Sequence, residues 1–247
     1  MNAKGFDAAI VTGVSRGLGE ALATALLRRG FEVIGIGRLS SMQLDSKRYR
    51  FVECDLSKPS LIAASVTPVL RELADRQPRG VTLINNAAVA APAGVLGALD
   101  AAAIETALDT NLVAPLVLTD LFCRAFGESR IPRRVINVSS GAAQSAIAGS
   151  STYCASKAGI EMVTRALAAD HPDIMSIAVR PGIFETGMQQ YMRSLNPVEF
   201  PSVALFRSFK DNGLLKDPAD VAARIVERLV VGTVEQGHIY NHLELGG

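Results

Sequence analysis

The stretch AAIVTGVSRGLGEALATALLRRG, residues 8–30, joins a short β-branched strand pattern to a segment of helical periodicity. Three glycines, Gly13, Gly17 and Gly19, lie at the junction, where they allow the chain to turn tightly and begin a helix. The free backbone N–H groups of such a helix start favour a phosphate. Glycines at this spacing also occur by chance, but their place between a strand and an amphipathic helix strengthens the interpretation.

The same alternation of strand and helix patterns continues along the chain. Further strands are predicted at FEVIGIG (31–37), RFVECD (50–55), VTLINN (81–86), RVINVSS (134–140), MSIAVRPG (175–182) and GHIY (237–240). Because helical segments fill the gaps, the pattern predicts βαβ units and a parallel sheet. No linker, repeat or charge block divides residues 1–247, so we expect a single α/β domain.

The composition excludes several classes of protein. The 25 basic and 24 acidic side chains nearly balance, which argues against a nucleic-acid binder or a polybasic membrane-surface protein. The three cysteines and three histidines lack disulfide or metal-ligand spacing, so we expect buried thiols and no metal site. No secretory signal and no run of eighteen apolar residues is seen, so we expect a cytoplasmic protein outside the membrane.

Residues 183–216 interrupt the regular alternation. They contain scattered Met, Phe and Tyr side chains with no steady period, namely Met188, Tyr191, Met192, Phe200, Phe206 and Phe209. We interpret this segment as an insertion that caps the substrate site at the carboxyl edge of the sheet, where open α/β sheets bind ligands. Its side chains favour an apolar or aromatic substrate. A plain surface excursion whose side chains pack against the sheet is the alternative.

The end of the second predicted strand bears on the choice of nucleotide. NAD-binding sheets usually carry an acidic residue there, whereas this strand ends with Arg38. Arg16 lies in the glycine loop, so two guanidinium groups could converge on a 2′-phosphate. This arrangement predicts NADP(H) in preference to NAD(H), unless both arginines are solvated surface charges.

Tyr153 and Lys157 are one helical turn apart in STYCASKAG, residues 151–159. A nearby ammonium favours the phenolate form of a tyrosine, whose ordinary pKa is too high for proton exchange at neutral pH. Ser140 ends a predicted strand thirteen residues before Tyr153, while Ser139 should face the other side. Ser140 and Tyr153 together could polarise a carbonyl oxygen.

Asn111 precedes Pro115 by four residues within a long helical segment, residues 103–126. Since proline has no N–H, the Asn111 carbonyl should lose its helical partner and the helix should kink. We predict a free carbonyl that holds a water connecting Lys157 to solvent; a purely structural kink is the alternative.

Taken together, these pieces resemble the short-chain dehydrogenase/reductase family over nearly the whole chain. The matching segments are TGVSRGLG (12–19), CDL (54–56), NNA (85–87), Asn111, the spacing of Ser140 and Tyr153, YCASK (153–157) and RPG (180–182). The surrounding sequence looks most like the branch of sepiapterin and benzil reductases, which reduce dicarbonyls with NADPH.

The resemblance implies a doubly wound Rossmann fold with seven parallel strands and helices on both faces. It also implies a catalytic tetrad of Asn111, Ser140, Tyr153 and Lys157, with Tyr153 as general acid or base. Ser140 would orient the substrate, Lys157 would lower the tyrosine pKa and hold the nicotinamide ribose, and Asn111 would carry a relay water.

The resemblance further implies a set of cofactor-binding residues. Asp55 and Leu56 would contact the adenine, and Asn86 and Ala87 would flank its ribose. The nicotinamide would be lined by Pro181, Gly182, Ile183 and Thr186. The whole set is Gly13, Ser15, Arg16, Gly17, Leu18, Gly19, Arg38, Asp55, Leu56, Asn86, Ala87, Tyr153, Lys157, Pro181, Gly182, Ile183 and Thr186.

Two residues depart from the family pattern. Ala88 stands where the family usually has glycine, and its methyl group requires more room behind the cofactor. Arg180 precedes Pro181 where a smaller or neutral residue is frequent, and we expect its charge to influence substrate preference near the nicotinamide.

The leading hypothesis is an NADPH-dependent carbonyl reductase that acts on a small ketone or dicarbonyl. A non-catalytic NADP(H)-sensing regulator and an alcohol dehydrogenase working in the oxidative direction are the alternatives. The helical segments 103–122 and 151–170 are apolar around much of their circumference, more than burial on one side requires. We therefore expect a symmetric homodimer or homotetramer. Members of the family that the chain resembles commonly pair these helices between subunits.

Overall fold

Seven parallel strands form one sheet in the order β3–β2–β1–β4–β5–β6–β7 in a computed structural model that describes residues 5–246. The strands are β1 (Asp7–Thr12), β2 (Glu32–Gly37), β3 (Tyr49–Glu53), β4 (Gly80–Asn85), β5 (Arg133–Val138), β6 (Met175–Arg180) and β7 (Ile239–Asn241). Each of the seven predicted strands is present, so the predicted doubly wound parallel sheet is confirmed.

Helices cover both faces of this sheet. They are α1 (Gly17–Arg28), α2 (Pro59–Asp75), α3 (Ala101–Leu108), α4 (Ala114–Phe126), α5 (Ser151–Asp170), α6 (Gly187–Ser194), α7 (Val203–Asp211) and α8 (Pro218–Ile225). Short π-helical segments follow α3, at Asp109–Val113, and α8, at Val226–Val231. A single 3₁₀ turn lies at Gly141–Ala143.

The central strands are buried on both faces because successive side chains point to opposite sides of the sheet. On β1, Ile10 packs into one apolar cluster with Phe122 of α4, while Val11 packs into another with Leu22 of α1. Ile10 is also paired with Ile34 of β2 and with Leu83 of β4. This two-sided burial explains why the strand sequences are almost continuously apolar.

The order of the strands reverses beside β1. The chain runs outward from β1 to β2 and β3, and then returns to place β4 on the other side of β1. Loops leaving β1 and β4 therefore diverge to opposite faces and leave a crevice between them at the carboxyl edge. The topology thus positions the glycine loop at the mouth of a ligand site.

A π-helical turn lies just before Pro115, where the sequence predicted a kink. Residues 109–113 form this turn, and α3, the turn and α4 make one continuous helix, Ala101–Phe126. Within residues 5–246 it alone is long and apolar enough, by length and composition, to cross a membrane. Leu118, Phe122 and Phe126 are buried against the sheet, but only 28% of the most apolar window is buried.

Residues 183–216 contain two helices, α6 and α7, where the sequence showed no steady period. Met192, Phe200 and Phe206 form a separate buried cluster with Ala90. These side chains therefore pack mainly on one another rather than on the sheet. The other face of α6 is turned toward the carboxyl edge.

The three cysteines are free thiols, as predicted. Cys54 is buried in the core, and burial raises the pKa of Cys123 to about 11. Such a thiol packs as a small apolar group.

Candidate active site

The glycine loop brings backbone against backbone at the end of β1. Gly13 has a positive φ of 73°, and a Cβ there would lie 3.0 Å from the Cα of Ala87. A Cβ on Gly19 would lie 2.1 Å from the Gly13 carbonyl oxygen, so no side chain fits at that position. These contacts explain why the sequence needs glycine at both positions.

Helix α1 begins at Gly17, directly after this loop. Arg16 precedes it in an extended conformation, and its side chain makes no capping hydrogen bond within the described residues. The first N–H groups of the helix therefore keep their capacity to bind an anion. A phosphate-bearing nucleotide fits this loop both sterically and electrostatically.

A cleft of about 700 Å³ extends from the glycine loop across the carboxyl edge of the sheet. Its volume lies in the range of small-molecule and cofactor sites. Of the predicted site residues, the cleft is lined by Gly13, Ser15, Arg16, Gly17, Leu18, Gly19, Arg38, Asp55, Leu56, Asn86, Ala87, Ser140, Tyr153, Lys157, Pro181, Gly182 and Thr186. Asn111 and Ile183 are not among the lining residues in the described part of the chain.

Arg38 and Asp55 both line the cleft. The Ser57 side chain donates a 2.8 Å hydrogen bond to the Asp55 carboxylate and is the largest cause of its lowered pKa. The charge of Arg38 acts in the same direction. Arg38 is exposed, so its guanidinium is accessible to a ligand.

Arg16 also lines the cleft. A Cβ built on Gly187, the first residue of α6, would lie 3.7 Å from the Arg16 guanidinium carbon. Arg16 is therefore placed between the glycine loop and the start of α6, while it remains exposed.

Asn86 and Ala87 join β4 to the end of β1. The backbone N–H groups of both residues donate 2.9 Å hydrogen bonds to the hydroxyl of Thr12. The Asn86 amide donates a 2.8 Å bond to the Thr12 carbonyl. Sequence reasoning missed Thr12, although its place immediately before Gly13 indicated a contact with the loop.

Tyr153 and Lys157 lie together on α5 and line the cleft. The Lys157 Nζ donates a 2.8 Å hydrogen bond to the carbonyl of Val138, the last residue of β5, and lies 5.7 Å from the Tyr153 ring centroid. Lys157 is only 3% exposed, and burial lowers its pKa to about 8.

The pKa of Tyr153 differs from the prediction. Burial raises it to about 12, and interaction with the Ser140 side chain offsets only part of this rise. The predicted lowering by Lys157 is therefore wrong for the cofactor-free protein, because desolvation of the phenolate outweighs the nearby ammonium. At neutral pH the phenol keeps its proton.

Ser139 and Ser140 both contribute to the cleft lining, but their hydroxyls have different partners. Ser140 lines the cleft, and its hydroxyl accepts a 3.2 Å hydrogen bond from the Ala142 N–H at the start of a 3₁₀ turn. The Ser139 hydroxyl donates a 2.6 Å bond to the buried carboxylate of Glu161. Only Ser140 is therefore free to turn its hydroxyl toward the phenol.

Asn111 holds the loop after β4 through its side chain. Its Oδ1 accepts a 2.8 Å bond from the Val89 N–H, and its Nδ2 donates a 2.8 Å bond to the Val89 carbonyl. Nδ2 also lies 3.3 Å from the Ser156 hydroxyl, which in turn bonds the Tyr153 carbonyl. The π-helical turn thus places Asn111 as a link between two walls of the cleft. A relay water on the backbone carbonyl of Asn111 stays a prediction.

The segment after β6 forms the far wall. Pro181, Gly182 and Thr186 line the cleft, and Gly182 has a positive φ of 85°. The Thr186 hydroxyl caps α6 by accepting a bond from the Gln189 N–H. Ile183 contributes its backbone, which accepts a bond from the Lys216 N–H.

The interpretation of Arg180 as a charge near the nicotinamide site is wrong. Its guanidinium forms a bidentate pair with Glu161, at 2.7 and 2.6 Å, and the two side chains are only 14% and 7% exposed. Glu161 thus neutralises the charge behind the cleft. Ala88, by contrast, lines the cleft itself.

Several lining residues were not predicted. They include Thr106 and Thr110 on the helix before Asn111, and Phe184 and Gln189 near the start of α6, whereas Met188 and Tyr191 belong to the segment that was predicted to cap the site. The spacing of Thr106 and Thr110 places them on one helical face and could have indicated a common wall. The residues near α6 could not be separated from those that pack in its apolar cluster.

The lowered pKa of Lys157 predicts a pH-dependent stability. The unfolded chain has the ordinary pKa of 10.5, so between about pH 8 and 10.5 it binds more protons than the folded chain. The contribution of Lys157 to stability therefore rises with pH across this window. From about pH 7 to about pH 9.5, urea denaturation should show the wild type gaining stability relative to Lys157→Met. A constant difference would contradict the assigned burial.

Comparison with known proteins agrees with the site. The short chain dehydrogenase family matches residues 7–196. A benzil reductase ((S)-benzoin forming) of Bacillus subtilis strain 168 is 32% identical over 236 residues, covering 94% of this chain and 96% of that enzyme. Mouse sepiapterin reductase is 30% identical, covering 96% and 97%. A Brucella melitensis 3-oxoacyl-[acyl-carrier protein] reductase in complex with NAD superposes with a TM-score of 0.80 at 26% identity, covering 99% of both chains. The chain therefore belongs to the short-chain dehydrogenase/reductase family and is an oxidoreductase acting on CH–OH or C=O groups.

Proposed function

We propose that the protein is an NADPH-dependent carbonyl reductase that delivers hydride to a ketone or dicarbonyl. The observation that supports this most directly is the joint position of the Tyr153 phenol and the Ser140 hydroxyl on the wall of the cleft that begins at the glycine loop. Two hydroxyl groups on one wall suit a single carbonyl oxygen, and their interaction strengthens as negative charge develops there.

The residues present fit a dinucleotide. The glycine loop and the start of α1 would hold its phosphates, and residues 181, 182 and 186 would form the wall beside its nicotinamide. NADPH would supply the hydride. The protein itself binds, orients and protonates the substrate.

The electrostatics favour Tyr153 as the acid of this reaction. With a pKa of about 12, the phenol is protonated at neutral pH and can give its proton to the developing alkoxide. The Lys157 ammonium, fixed by the Val138 carbonyl, then stabilises the phenolate that forms. The reverse reaction, alcohol oxidation, would require the phenolate at the outset.

The proposed class of substrate is supported by the names of two similar enzymes and by the apolar lining of the cleft. Two similar enzymes are named for benzil and sepiapterin, both carbonyl compounds. In this chain Val89, Ala90, Phe184 and Met188 provide an apolar lining around the proposed reaction site. We therefore propose a carbonyl substrate with an apolar or aromatic flank.

Replacing Tyr153 with Phe should abolish turnover and leave cofactor binding largely intact. The change removes the proton donor, which is worth about 10²–10⁴-fold in rate, but no group at the phosphate end of the cleft. NADPH oxidation with a panel of diketones and aromatic ketones measures the first effect, and NADPH fluorescence titration measures the second.

Tyr49→Phe is the matched control, because Tyr49 also loses a phenol hydroxyl but lies outside the cleft lining, with its hydroxyl 2.8 Å from Ser40. It should keep wild-type turnover. Near-wild-type turnover by Tyr153→Phe would contradict the assignment. NADPH binding by the wild type without turnover of any carbonyl in the panel would favour the NADP(H)-sensing regulator instead.

The preference for NADP(H) is proposed from Arg38 and Arg16. Both guanidinium groups are exposed at the rim of the cleft, and neither has a carboxylate partner within 4.0 Å in the described residues. A 2′-phosphate would supply the missing negative charge, and arginine binds it with a planar pair of hydrogen bonds.

Replacing Arg38 with Ala should weaken NADPH binding about 10–100-fold, the range expected for a lost hydrogen bond to a charged group, while NADH binding changes little. The dissociation constants of both nucleotides measure this difference. Arg165→Ala removes an equally exposed arginine from α5 and should affect neither. An equal loss for NADPH and NADH would exclude a 2′-phosphate contact.

A homodimer or homotetramer and a cytoplasmic location stay predictions. Oligomer formation is supported by exposed apolar side chains on the two helices singled out from the sequence. Leu116 on α4 is 44% exposed and Met162 on α5 is 59% exposed, and contact with a second copy of the chain would cover both side chains.

A further inference from the structure

Three segments carry the groups that act in the proposed reaction. Ser140 follows β5, Tyr153 and Lys157 lie on α5, and Pro181 follows β6. Behind all three segments lies Glu161, two helical turns after Tyr153 and one turn after Lys157 on the same side of α5. Glu161 does not line the cleft.

Glu161 contacts the residue adjacent to the site in each neighbouring segment. Its Oε1 accepts hydrogen bonds from the Ser139 hydroxyl, at 2.6 Å, and from the Arg180 Nε, at 2.7 Å. Its Oε2 accepts a 2.6 Å bond from the Arg180 Nη2. Ser139 directly precedes Ser140, and Arg180 directly precedes Pro181. One carboxylate therefore ties together the three segments that carry the site.

Stability alone is a weak reason for this arrangement. The Glu161 and Arg180 side chains are 7% and 14% exposed, so both charges are largely removed from water. The desolvation of a buried ion pair offsets most of its attraction, and apolar replacements of similar volume are often as stable. A buried pair does, however, fix the geometry of the groups that it joins, since its hydrogen bonds are directional.

We propose that Glu161 and Arg180 are positioning residues, which hold the loops after β5 and β6 against α5 so that Ser140, Tyr153 and the nicotinamide wall keep their relative positions. This inference rests on the proposed function. Both side chains lie behind the cleft lining, so neither contacts the reacting groups. The pair would act on the chemical step indirectly, through the residues that it holds in place.

The same two strands carry a matched control at their other end. Arg133 begins β5, and its Nη2 lies 2.6 Å from a carboxylate oxygen of Asp173, two residues before β6. The Arg133 side chain is 7% exposed and also bonds the carbonyls of Phe126 and Gly127. This pair joins β5 to β6 far from the carboxyl edge.

The test compares Arg180→Met, the double variant Glu161→Met/Arg180→Met, and the control double variant Arg133→Met/Asp173→Met. Arg180→Met alone leaves the buried Glu161 charge unpaired and should lower stability. The Glu161/Arg180 double variant should regain most of that stability, because it leaves neither charge. Its kcat should nevertheless stay at least about tenfold below wild type, since the reacting groups are no longer held in register.

The accompanying readouts separate positioning from general stability. NADPH affinity should change less than about threefold, because the phosphate end of the site is untouched, so the loss falls on kcat rather than on binding. Hydrogen exchange should quicken in segments 138–143 and 180–184 of the Glu161/Arg180 variant. The Arg133/Asp173 variant should keep wild-type kcat and wild-type exchange in both segments.

A Glu161/Arg180 double variant that regains both stability and kcat, with unchanged exchange in the two segments, would overturn the inference. The proposed function fails separately, if the wild type binds NADPH but reduces no carbonyl compound. In that case the exchange measurement still decides whether the pair holds the two loops.

Discussion

The buried hydrogen bond from the Lys157 ammonium to the Val138 carbonyl fixes α5 against the end of β5. An ammonium that is 3% exposed needs such a partner, since an unpaired buried charge would be strongly unfavourable. One turn earlier on α5, Tyr153 is thereby placed on the wall of the cleft near Ser140. The position of the phenol, and with it the proposed reaction, depends on this contact, which the Glu161 bonds to Ser139 and Arg180 reinforce.

The same edge of the sheet brings the nucleotide loop to this wall. The strand order reverses between β2 and β4, so the loops leaving β1 and β4 open a crevice. Gly13 and Gly19 allow the backbone to close around it, and Thr12 bonds the two loops together. Strand topology thus sets where the cofactor site forms, and burial sets the acid–base state of the groups beside it.

Much of this arrangement follows from local sequence patterns. The seven strands alternate with helical segments, and the glycines, Ser140, Tyr153 and Lys157 follow from their spacing within single elements. The pKa of Tyr153 does not follow from local patterns, because it depends on burial by the whole fold. The Glu161–Arg180 pair joins residues 19 positions apart on different elements, so no local pattern indicates it. Helix α6 was not predicted, because its side chains contact two different environments, an apolar cluster and the cleft.

The pKa of the Tyr153 phenol, measured by NMR of ¹³C-labelled tyrosine and assigned with Tyr153→Phe, tests the central claim most directly. The account predicts a pKa of about 12 in the free protein, set by burial. It further predicts a clear decrease when NADP⁺ binds, because a cationic nicotinamide stabilises the phenolate. An ordinary pKa of 10.0 in the free protein, together with no change on NADP⁺ binding, would contradict both the burial of the phenol and its place beside the nicotinamide.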